Sequence, residues 1–243
     1  MLHRDRNKSV HLNFKFRVSS MESHLRPNFN QMVLIKQLKE GNQRFAEASL
    51  LDRASELHYT RKLLAVEGQQ PWAVMIGCSD SRVPIEKVFD AGLGELFVIR
   101  IAGNCLDEAS LASAEFATSA WNVGLIVIVG HKNCGAVAAS LDQNLKLDSP
   151  HIEGLLNRIR VAATYVSGSD QLDLSCAEKA NIEYWRNYIL DNSELLRQRA
   201  LAGSTLICTA YYNTFTGQVE FSDEIEAFLE EQPNHIETPG ADD

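Results

Sequence analysis

The sequence lacks the features that would place it in a membrane or on a nucleic acid. Its apolar runs are short: Leu125–Val129, one of the longest, has the length of a buried strand, far below the ~20 residues that span a bilayer. Basic residues are also scarce, since the formal net charge is -9 at pH 7, so no surplus exists to neutralise the phosphates of a nucleic acid. Neither a membrane nor a nucleic acid is therefore expected as a partner.

The chain also lacks Pro/Gly/Ser linkers, internal repeats and low-complexity segments, which predicts a single domain. We place this domain at residues 31–230, which are enough to bury a substantial core. An acidic, flexible tail at residues 231–243 is expected to follow it.

Residues 1–30 are expected to form a poorly ordered basic arm before the domain. Asp5 is the only acid among the first twenty residues, where basic side chains dominate, and no apolar segment of a secretory signal follows. Two alternatives remain open for this arm. It is an organelle-import signal, or it results from an upstream start that precedes the true one at Met21.

Cysteines are few and scattered. The five have no compact spacing of the kind found in disulfide-rich secreted proteins, so we expect a reducing, cytoplasmic location. Cys105, Cys176 and Cys208 are expected to be buried and to act as small apolar residues.

What the chain does contain is an alternation of short apolar runs with longer helical patterns. Continuous apolar runs of this length are typical of parallel strands that helices cover on both faces. The pattern predicts an α/β fold with a mainly parallel central sheet of about four strands, an antiparallel edge strand, helices on both faces and right-handed crossovers. The predicted strands are Trp72–Ile76, Leu96–Ile99, Leu125–Val129, Thr205–Ala210 and the edge strand Gln218–Phe221, and the predicted helices are Gln31–Phe45 (ending near Gly41), Leu57–Val66, Ser110–Trp121, one from Cys134, His151–Val166, Ala177–Leu201 and an acidic one from Asp223.

Metal-binding side chains follow two of the predicted strands. Cys78 comes directly after the first strand, His131 after the third, and Cys134 on the first turn of the next helix. Ligands in such folds bind beyond the carboxyl ends of the strands, so the three side chains should converge if these strands are neighbours. Two thiolates and one imidazole would hold a zinc ion with its fourth position open, which separates a catalytic zinc site from a closed structural one.

An acid and a guanidinium stand beside the first of these ligands. Asp80 is the only nearby candidate for a fourth zinc ligand, which would close the site. Arg82 is always charged and can pair bidentately with a carboxylate, so we expect it to hold Asp80 away from the metal. Asp80 would then stay ionised, leave the fourth position to water and orient that water towards the substrate.

Five longer motifs surround these residues and extend towards both ends of the chain. They resemble the β-class carbonic anhydrases over about residues 32–222, and they are Gly77–Pro84, Gly94–Asn104, Gly130–Gly135, Glu40–Phe45 and Ala210–Gly217. The resemblance implies a Zn2+ cofactor bound by Cys78, His131 and Cys134, with Asp80 and Arg82 as the catalytic dyad.

The same resemblance implies a substrate pocket and an oligomer. The pocket is expected to be completed by a second subunit, and the N-terminal helices are expected to pack across that subunit. A homodimer or a dimer of dimers follows from this arrangement. The residues implied to lie near the substrate are Gln69, Phe97, Ala102, Phe116 and Gly135.

The function that the resemblance implies is the zinc-dependent, reversible hydration of carbon dioxide to bicarbonate and a proton. One alternative is hydrolysis of carbon disulfide or carbonyl sulfide at the same zinc, because substrate access rather than the ligand set distinguishes these reactions. The other is a non-catalytic, zinc-stabilised assembly subunit. Asp80 and Arg82 weigh against that second alternative, since a purely structural site has no use for a displaceable carboxylate.

Overall fold

The computed structural model describes residues 29–142, 144–146, 148–165 and 173–231. Within these ranges a single five-stranded sheet forms the centre of the molecule, and the first four strands in the chain run parallel. The fifth is an antiparallel edge strand, so the predicted α/β architecture is confirmed. The strands are β1 (Ala73–Gly77), β2 (Leu96–Arg100), β3 (Leu125–His131), β4 (Leu206–Tyr212) and β5 (Val219–Phe221), in the spatial order β2-β1-β3-β4-β5.

Helices cover both faces of this sheet. The predicted arm and tail lie outside the described residues, except for their innermost positions. The helices are α1 (Phe29–Ala46), α2 (Ala54–Glu67), the one-turn α3 (Ile85–Val88), α4 (Glu108–Trp121), α5 (Gly135–Leu141), α6 (Pro150–Ala163), α7 (Leu174–Asn192), α8 (Glu194–Leu201) and α9 (Asp223–Glu231), with a short 3-10 turn at Ala102–Asn104.

Alternate residues of β1 enter two separate cores, because successive side chains of a strand point to opposite faces. Val74 and Ile76 pack with apolar residues of α4, α6, α7 and α8 on one face. Ala73 and Met75 pack with α1, α3 and α9 on the other. Since both faces are covered, every residue of β1, β3 and β4 is buried, which explains their continuous apolar sequences.

Two of the five motifs, Glu40–Phe45 and Ala210–Gly217, meet at the second of these faces. Asn42 of α1 donates hydrogen bonds to the carbonyl oxygens of Val88 (3.1 Å) and Gly217 (2.8 Å). Its own carbonyl oxygen accepts from the N–H of Val219 at 2.8 Å. One buried amide therefore ties the first helix to the loop before β5.

The first helix does not end near Gly41, as the sequence predicted, but continues to Ala46. Glycine is needed here for close packing rather than as a helix terminator. A Cβ atom at Gly41 would lie 2.0 Å from the carbonyl oxygen of Phe89. The helix can approach the segment after α3 this closely only because residue 41 has no side chain.

The single helix predicted over Ala177–Leu201 is also wrong, because the chain breaks into α7 and α8 at Ser193. This residue has an extended backbone and caps α8, since its side-chain oxygen accepts from the N–H of Leu196 at 3.1 Å. Its hydroxyl also donates to a carboxylate oxygen of Glu115 on α4, at 2.5 Å. A contact from elsewhere in the fold therefore supports the break.

Burial of the three remaining cysteines follows the prediction at two positions and departs from it at the third. Cys105 and Cys208 are buried, whereas Cys176 is exposed. Cys176 lies in the first turn of α7, and the buried face of that helix passes through Ala177, Ala180 and Trp185 instead.

Across the described ranges, none of the helices has the length and hydropathy that crossing a bilayer requires.

Replacing Gly41 by alanine is expected to destabilise the fold. The new Cβ would collide with the Phe89 carbonyl oxygen, and overpacking of this kind lowers the free energy of unfolding by about 3 kcal/mol. Gly154→Ala on α6 is the matched control, because a Cβ there would meet no other part of the structure within 4 Å and alanine favours a helix by up to about 1 kcal/mol. Denaturant unfolding measures both variants, and equal midpoints for Gly41→Ala and the wild type would contradict the packing argument.

Candidate metal centre

The candidate site lies at the carboxyl ends of β1 and β3, which are adjacent and parallel in the sheet. Cys78 directly follows β1, and His131 is the last residue of β3. Cys134 comes three residues later, immediately before α5. Parallel pairing of the two strands therefore brings distant parts of the chain to one edge of the sheet.

Three metal-binding side chains converge at this edge. The ligand atoms of Cys78, His131 and Cys134 all lie within 4.8 Å of one another, and all three residues are buried. The two sulfur atoms are 4.0 Å apart. Two thiolates bound to a tetrahedral zinc ion at their usual bond length would be about 3.8 Å apart, so the cluster fits zinc with little adjustment.

The imidazole of His131 is oriented as a metal ligand requires. Its Nδ1 lies 3.1 Å from the carbonyl oxygen of Lys132, which can only accept, so Nδ1 carries the hydrogen in this contact. Its Nε2 is buried and has no hydrogen-bond partner among the described residues. Burying such an atom costs free energy unless something binds it, and a cation beside the two sulfurs would do so.

The two sulfur atoms differ in their surroundings. Cys78 Sγ accepts backbone N–H groups of Asp80 (3.4 Å) and Gly103 (3.3 Å). The adjacent Cys134 thiol, together with His131 and these N–H groups, lowers the pKa of Cys78 against the opposing effect of burial. The same sulfur–sulfur contact and burial raise the pKa of Cys134. Cys78 is therefore the sulfur already prepared to be a thiolate, which is the form that binds metals.

Asp80 and Arg82 form the bidentate pair that the sequence predicted. The Arg82 guanidinium donates to Oδ1 of Asp80 at 3.0 Å and to Oδ2 at 2.7 Å, and the Arg82 backbone N–H donates to Oδ1 at 2.9 Å. These bonds hold the pKa of Asp80 at about 2. Oδ2 still lies 4.0 Å from His131 Nε2, so the carboxylate borders the cluster while Arg82 holds it.

Two residues at and just beyond the carboxyl end of β2 brace this edge of the sheet. Arg100 donates to the carbonyl oxygens of Cys78 (3.0 Å) and Asp80 (2.7 Å), which fixes the loop that carries the first ligand. The buried amide of Asn104 donates to the carbonyl oxygens of Ile76 (3.1 Å) and Val129 (2.9 Å). Asn104 therefore connects the carboxyl-terminal ends of β1 and β3, close to the candidate metal ligands Cys78 and His131.

Comparison with known proteins agrees with this geometry. Residues 73–219 match the carbonic anhydrase family model, which covers more than half of the chain. Carbonic anhydrase 2 of Mycobacterium tuberculosis is 33% identical over 201 residues, which are 82% of this chain and 96% of that protein. The chain belongs to the β-carbonic anhydrase family.

Solved structures of the family share the fold. The β-carbonic anhydrase CcaA superposes with a TM-score of 0.61 at 27% identity, covering 79% of this chain and 96% of that one. One of two tetrameric β-carbonic anhydrases from the ascomycete Sordaria macrospora superposes with a TM-score of 0.57 at 21% identity, covering 70% and 89%.

The residues expected near the substrate of this β-carbonic anhydrase fall into two groups. Ala102 begins the 3-10 turn whose next residue, Gly103, contacts Cys78 Sγ, and Gly135 directly follows Cys134. These two positions therefore border the metal cluster. Gly103 has a left-handed backbone (φ +62°), and a Cβ there would meet Ile159 at 2.6 Å, so the turn depends on glycine.

The other three residues lie away from the cluster within one chain. Gln69 is exposed and precedes β1, whereas Cys78 follows it, so the strand of about 16 Å separates them. The rings of Phe97 and Phe116 both pack on Trp121, with centroids 5.8 and 5.5 Å apart. Trp121 in turn lines a cavity of about 690 Å³ at the amino ends of the strands.

Several supporting residues of this β-carbonic anhydrase were missed at the sequence level. Arg100 is the last residue of β2 and Asn104 lies four residues beyond it, and both belong to the motif Gly94–Asn104. Their position at the carboxyl end of a parallel strand was the available signal, because ligands in such sheets bind at that edge. Glu178 and Asn181 of α7 were not singled out, although both are buried and contact the backbone beside the two cysteines. Their helical spacing from the buried Trp185 was the available signal, because it places them on the apolar face of the helix.

Proposed function

We propose that this chain catalyses the reversible hydration of carbon dioxide to bicarbonate and a proton, with a zinc ion bound by Cys78, His131 and Cys134. One observation carries the proposal. Two sulfurs and an imidazole nitrogen, which has no hydrogen-bond partner within the described part of the chain, converge beside a carboxylate that Arg82 holds in a bidentate pair. Three protein ligands are typical of a catalytic zinc site, whereas a structural site is closed by a fourth. Asp80 is the nearest candidate for that fourth ligand, and its pairing with Arg82 holds it back.

Zinc, when bound here, lowers the pKa of water, so that hydroxide is available as a nucleophile near neutral pH. Two thiolates and a neutral imidazole would balance the two positive charges of the ion, so the site as a whole would have a charge near zero. The three protein ligands come from two strand ends that hydrogen bonds already join, so the chain presents them in a fixed arrangement. A fixed arrangement keeps the fourth position available to water and substrate.

Asp80 acts as the hydrogen-bond acceptor that orients the attacking water. Because its pKa is held at about 2, the carboxylate is ionised over the whole neutral range and can only accept. Arg82 uses both oxygens of Asp80 and also donates to the carbonyl oxygen of Asn133 at 2.9 Å. For Asp80 to enter the metal cluster as a fourth ligand, these guanidinium bonds would have to break.

The related proteins favour this reaction over the two alternatives considered from the sequence. The relatives and structures described above are each named carbonic anhydrases. Carbon dioxide is therefore favoured over carbon disulfide or carbonyl sulfide as substrate, and an enzyme is favoured over an assembly subunit. A stopped-flow measurement of carbon dioxide hydration by the zinc-loaded protein tests the function directly.

Removing a thiol ligand is expected to remove the metal. Purified wild-type protein should contain about one zinc per chain, and Cys78→Ser or Cys134→Ser should lose most of it, since a hydroxyl is a far weaker zinc ligand than a thiolate. Cys105→Ser is the matched control, because Cys105 is equally buried but lies outside the cluster. Elemental analysis measures the three variants, and full zinc content in both ligand variants would overturn the assignment.

Breaking the Asp80–Arg82 pair is expected to reduce turnover while zinc stays bound. Asp80→Ala removes the acceptor, and Arg82→Ala frees Asp80 to compete for the metal, so each should lower kcat by about 100-fold or more. Arg197→Ala, which breaks an exposed pair with Glu194 on α8, is the control and should keep the wild-type rate. Wild-type kcat in both dyad variants would show that the pair has no orienting role.

We also propose that the active form is a homodimer or a dimer of dimers. Helix α2 exposes a set of large apolar side chains: Leu57 is 51%, Tyr59 70% and Val66 87% exposed. Exposure of this kind on one short helix is unusual for a monomer and marks an interface. A second subunit would also be the means of bringing Gln69 to a metal centre, since the two lie at opposite ends of β1 in one chain.

Light scattering is expected to give a mass at least twice the 27.1 kDa of one chain. Leu57→Asp with Val66→Asp should shift the protein towards monomer and lower activity, because charges would replace the apolar contact of α2. Glu56→Gln on the same exposed helix is the control for a surface change. A fully active wild-type monomer at micromolar concentration would contradict the proposal.

A further inference from the structure

Glu178 of α7 is a buried carboxylate with no part in the mechanism described so far. Only 2% of the residue is exposed. One carboxylate oxygen accepts the backbone N–H of Cys134 at 2.7 Å, and the other accepts the hydroxyl of Tyr211 at 2.5 Å. A buried carboxylate is costly unless its oxygens are hydrogen-bonded, and here each oxygen has a donor. The side chain is therefore fixed from both sides.

Tyr211 is a reliable donor in this contact. It belongs to β4, which pairs with β3, and its residue is also buried. Burial, and then the adjacent Glu178, raise the pKa of Tyr211 well above its usual range, so the phenol keeps its proton. Lys179 lies over the Tyr211 ring, 5.2 Å from its centroid, which holds the ring on α7.

The same face of α7 reaches the other cysteine. Asn181, about one helical turn after Glu178, donates to the carbonyl oxygen of Gly103 at 2.9 Å. Gly103 in turn donates its N–H to Cys78 Sγ at 3.3 Å. Trp185, one turn further, donates to the Asn181 side-chain oxygen at 3.0 Å and so fixes its orientation. One helix face therefore holds the backbone beside both sulfur atoms.

We propose that Glu178 is a positioning residue for the Cys134 ligand, and that Tyr211 holds Glu178 in place. Through the Cys134 N–H, Glu178 sets where the Cys134 sulfur lies relative to Cys78 and His131. The inference rests on the proposed function, because it takes Cys134 to be a zinc ligand. Partners that orient metal ligands are typically worth about 10- to 100-fold in metal affinity.

Two conservative variants distinguish positioning from charge. Glu178→Gln keeps the side-chain length: its amide oxygen can accept the Cys134 N–H, and its amide nitrogen can face the Tyr211 oxygen, which accepts as well as donates. Glu178→Asp keeps the carboxylate but shortens the side chain by one methylene, so the carboxylate no longer reaches the Cys134 N–H. If Glu178 acts by positioning Cys134, the zinc affinity of Glu178→Gln should stay close to that of the wild type, whereas that of Glu178→Asp should fall.

The primary measurement is the zinc dissociation constant, obtained by competition with a chromophoric chelator. Glu178→Asp should bind zinc about 10-fold or more weakly, whereas Glu178→Gln should stay within about 3-fold of wild type. Cobalt-substituted protein gives a second readout. The thiolate-to-metal absorption band reports the contacts of Cys78 and Cys134 with the metal, and we expect it to change in Glu178→Asp but not in Glu178→Gln. Glu183→Asp is the matched control: Glu183 lies on the same helix and accepts from Thr209, without contacting the cluster.

The outcomes separate this inference from the proposed function. If Gln weakens zinc binding while Asp does not, charge rather than position matters and the proposal is wrong. If both variants match wild type, or if Glu183→Asp weakens binding as much as Glu178→Asp, Glu178 has no specific role and the proposal is also wrong. Failure of the proposed function would appear differently, as wild-type protein that binds no zinc or as Cys134→Ser that retains it.

Discussion

The site depends on one constraint, which is that β1 and β3 are adjacent and parallel, so that their carboxyl ends reach the same edge of the sheet. The Asn104 amide donates to carbonyl groups of both strands just before the strands end. Cys78 and His131 each lie two residues beyond these carbonyl groups, so the spacing of the two strands sets the distance between the two side chains. Because a buried parallel sheet has little freedom to slide, the ligands are placed by the most rigid part of the fold.

Around that edge, hydrogen bonds from three directions limit the movement of the ligands. Arg100 at the end of β2 fixes the loop of the first cysteine, and Arg82 fixes Asp80 beside it. From the opposite side, α7 contacts the backbone next to both sulfurs through Glu178 and Asn181. The candidate metal ligands are held by many hydrogen bonds, whereas the side chain of Arg82 is exposed to solvent. This arrangement suits a site that retains its metal while substrate and product exchange with solvent.

A single chain provides the metal centre but not all of the residues expected around the substrate. Gln69 and the rings of Phe97 and Phe116 gather towards the other end of the strands, where Trp121 also lines the large cavity. Helix α2, with its exposed apolar side chains, lies before the same end of β1. The proposed dimer connects assembly with function, because in it a second copy would supply the pocket residues that one chain holds away from the cluster.

The amino-acid sequence alone determined the strands, the alternation of helices and the ligand types, because continuous apolar runs and adjacent reactive side chains are local properties. It predicted the Asp80–Arg82 pair for the same reason, since the two residues share one turn. Tertiary structure decided the rest. Helix α1 continues through Gly41 because the Phe89 carbonyl lies against it, and the helix break at Ser193 is supported by Glu115 of another helix. The spacing of Glu178 from Trp185 places it on the apolar face of α7, but its partners Cys134 and Tyr211 are remote in the chain, so only the packing of α7 makes it part of the site.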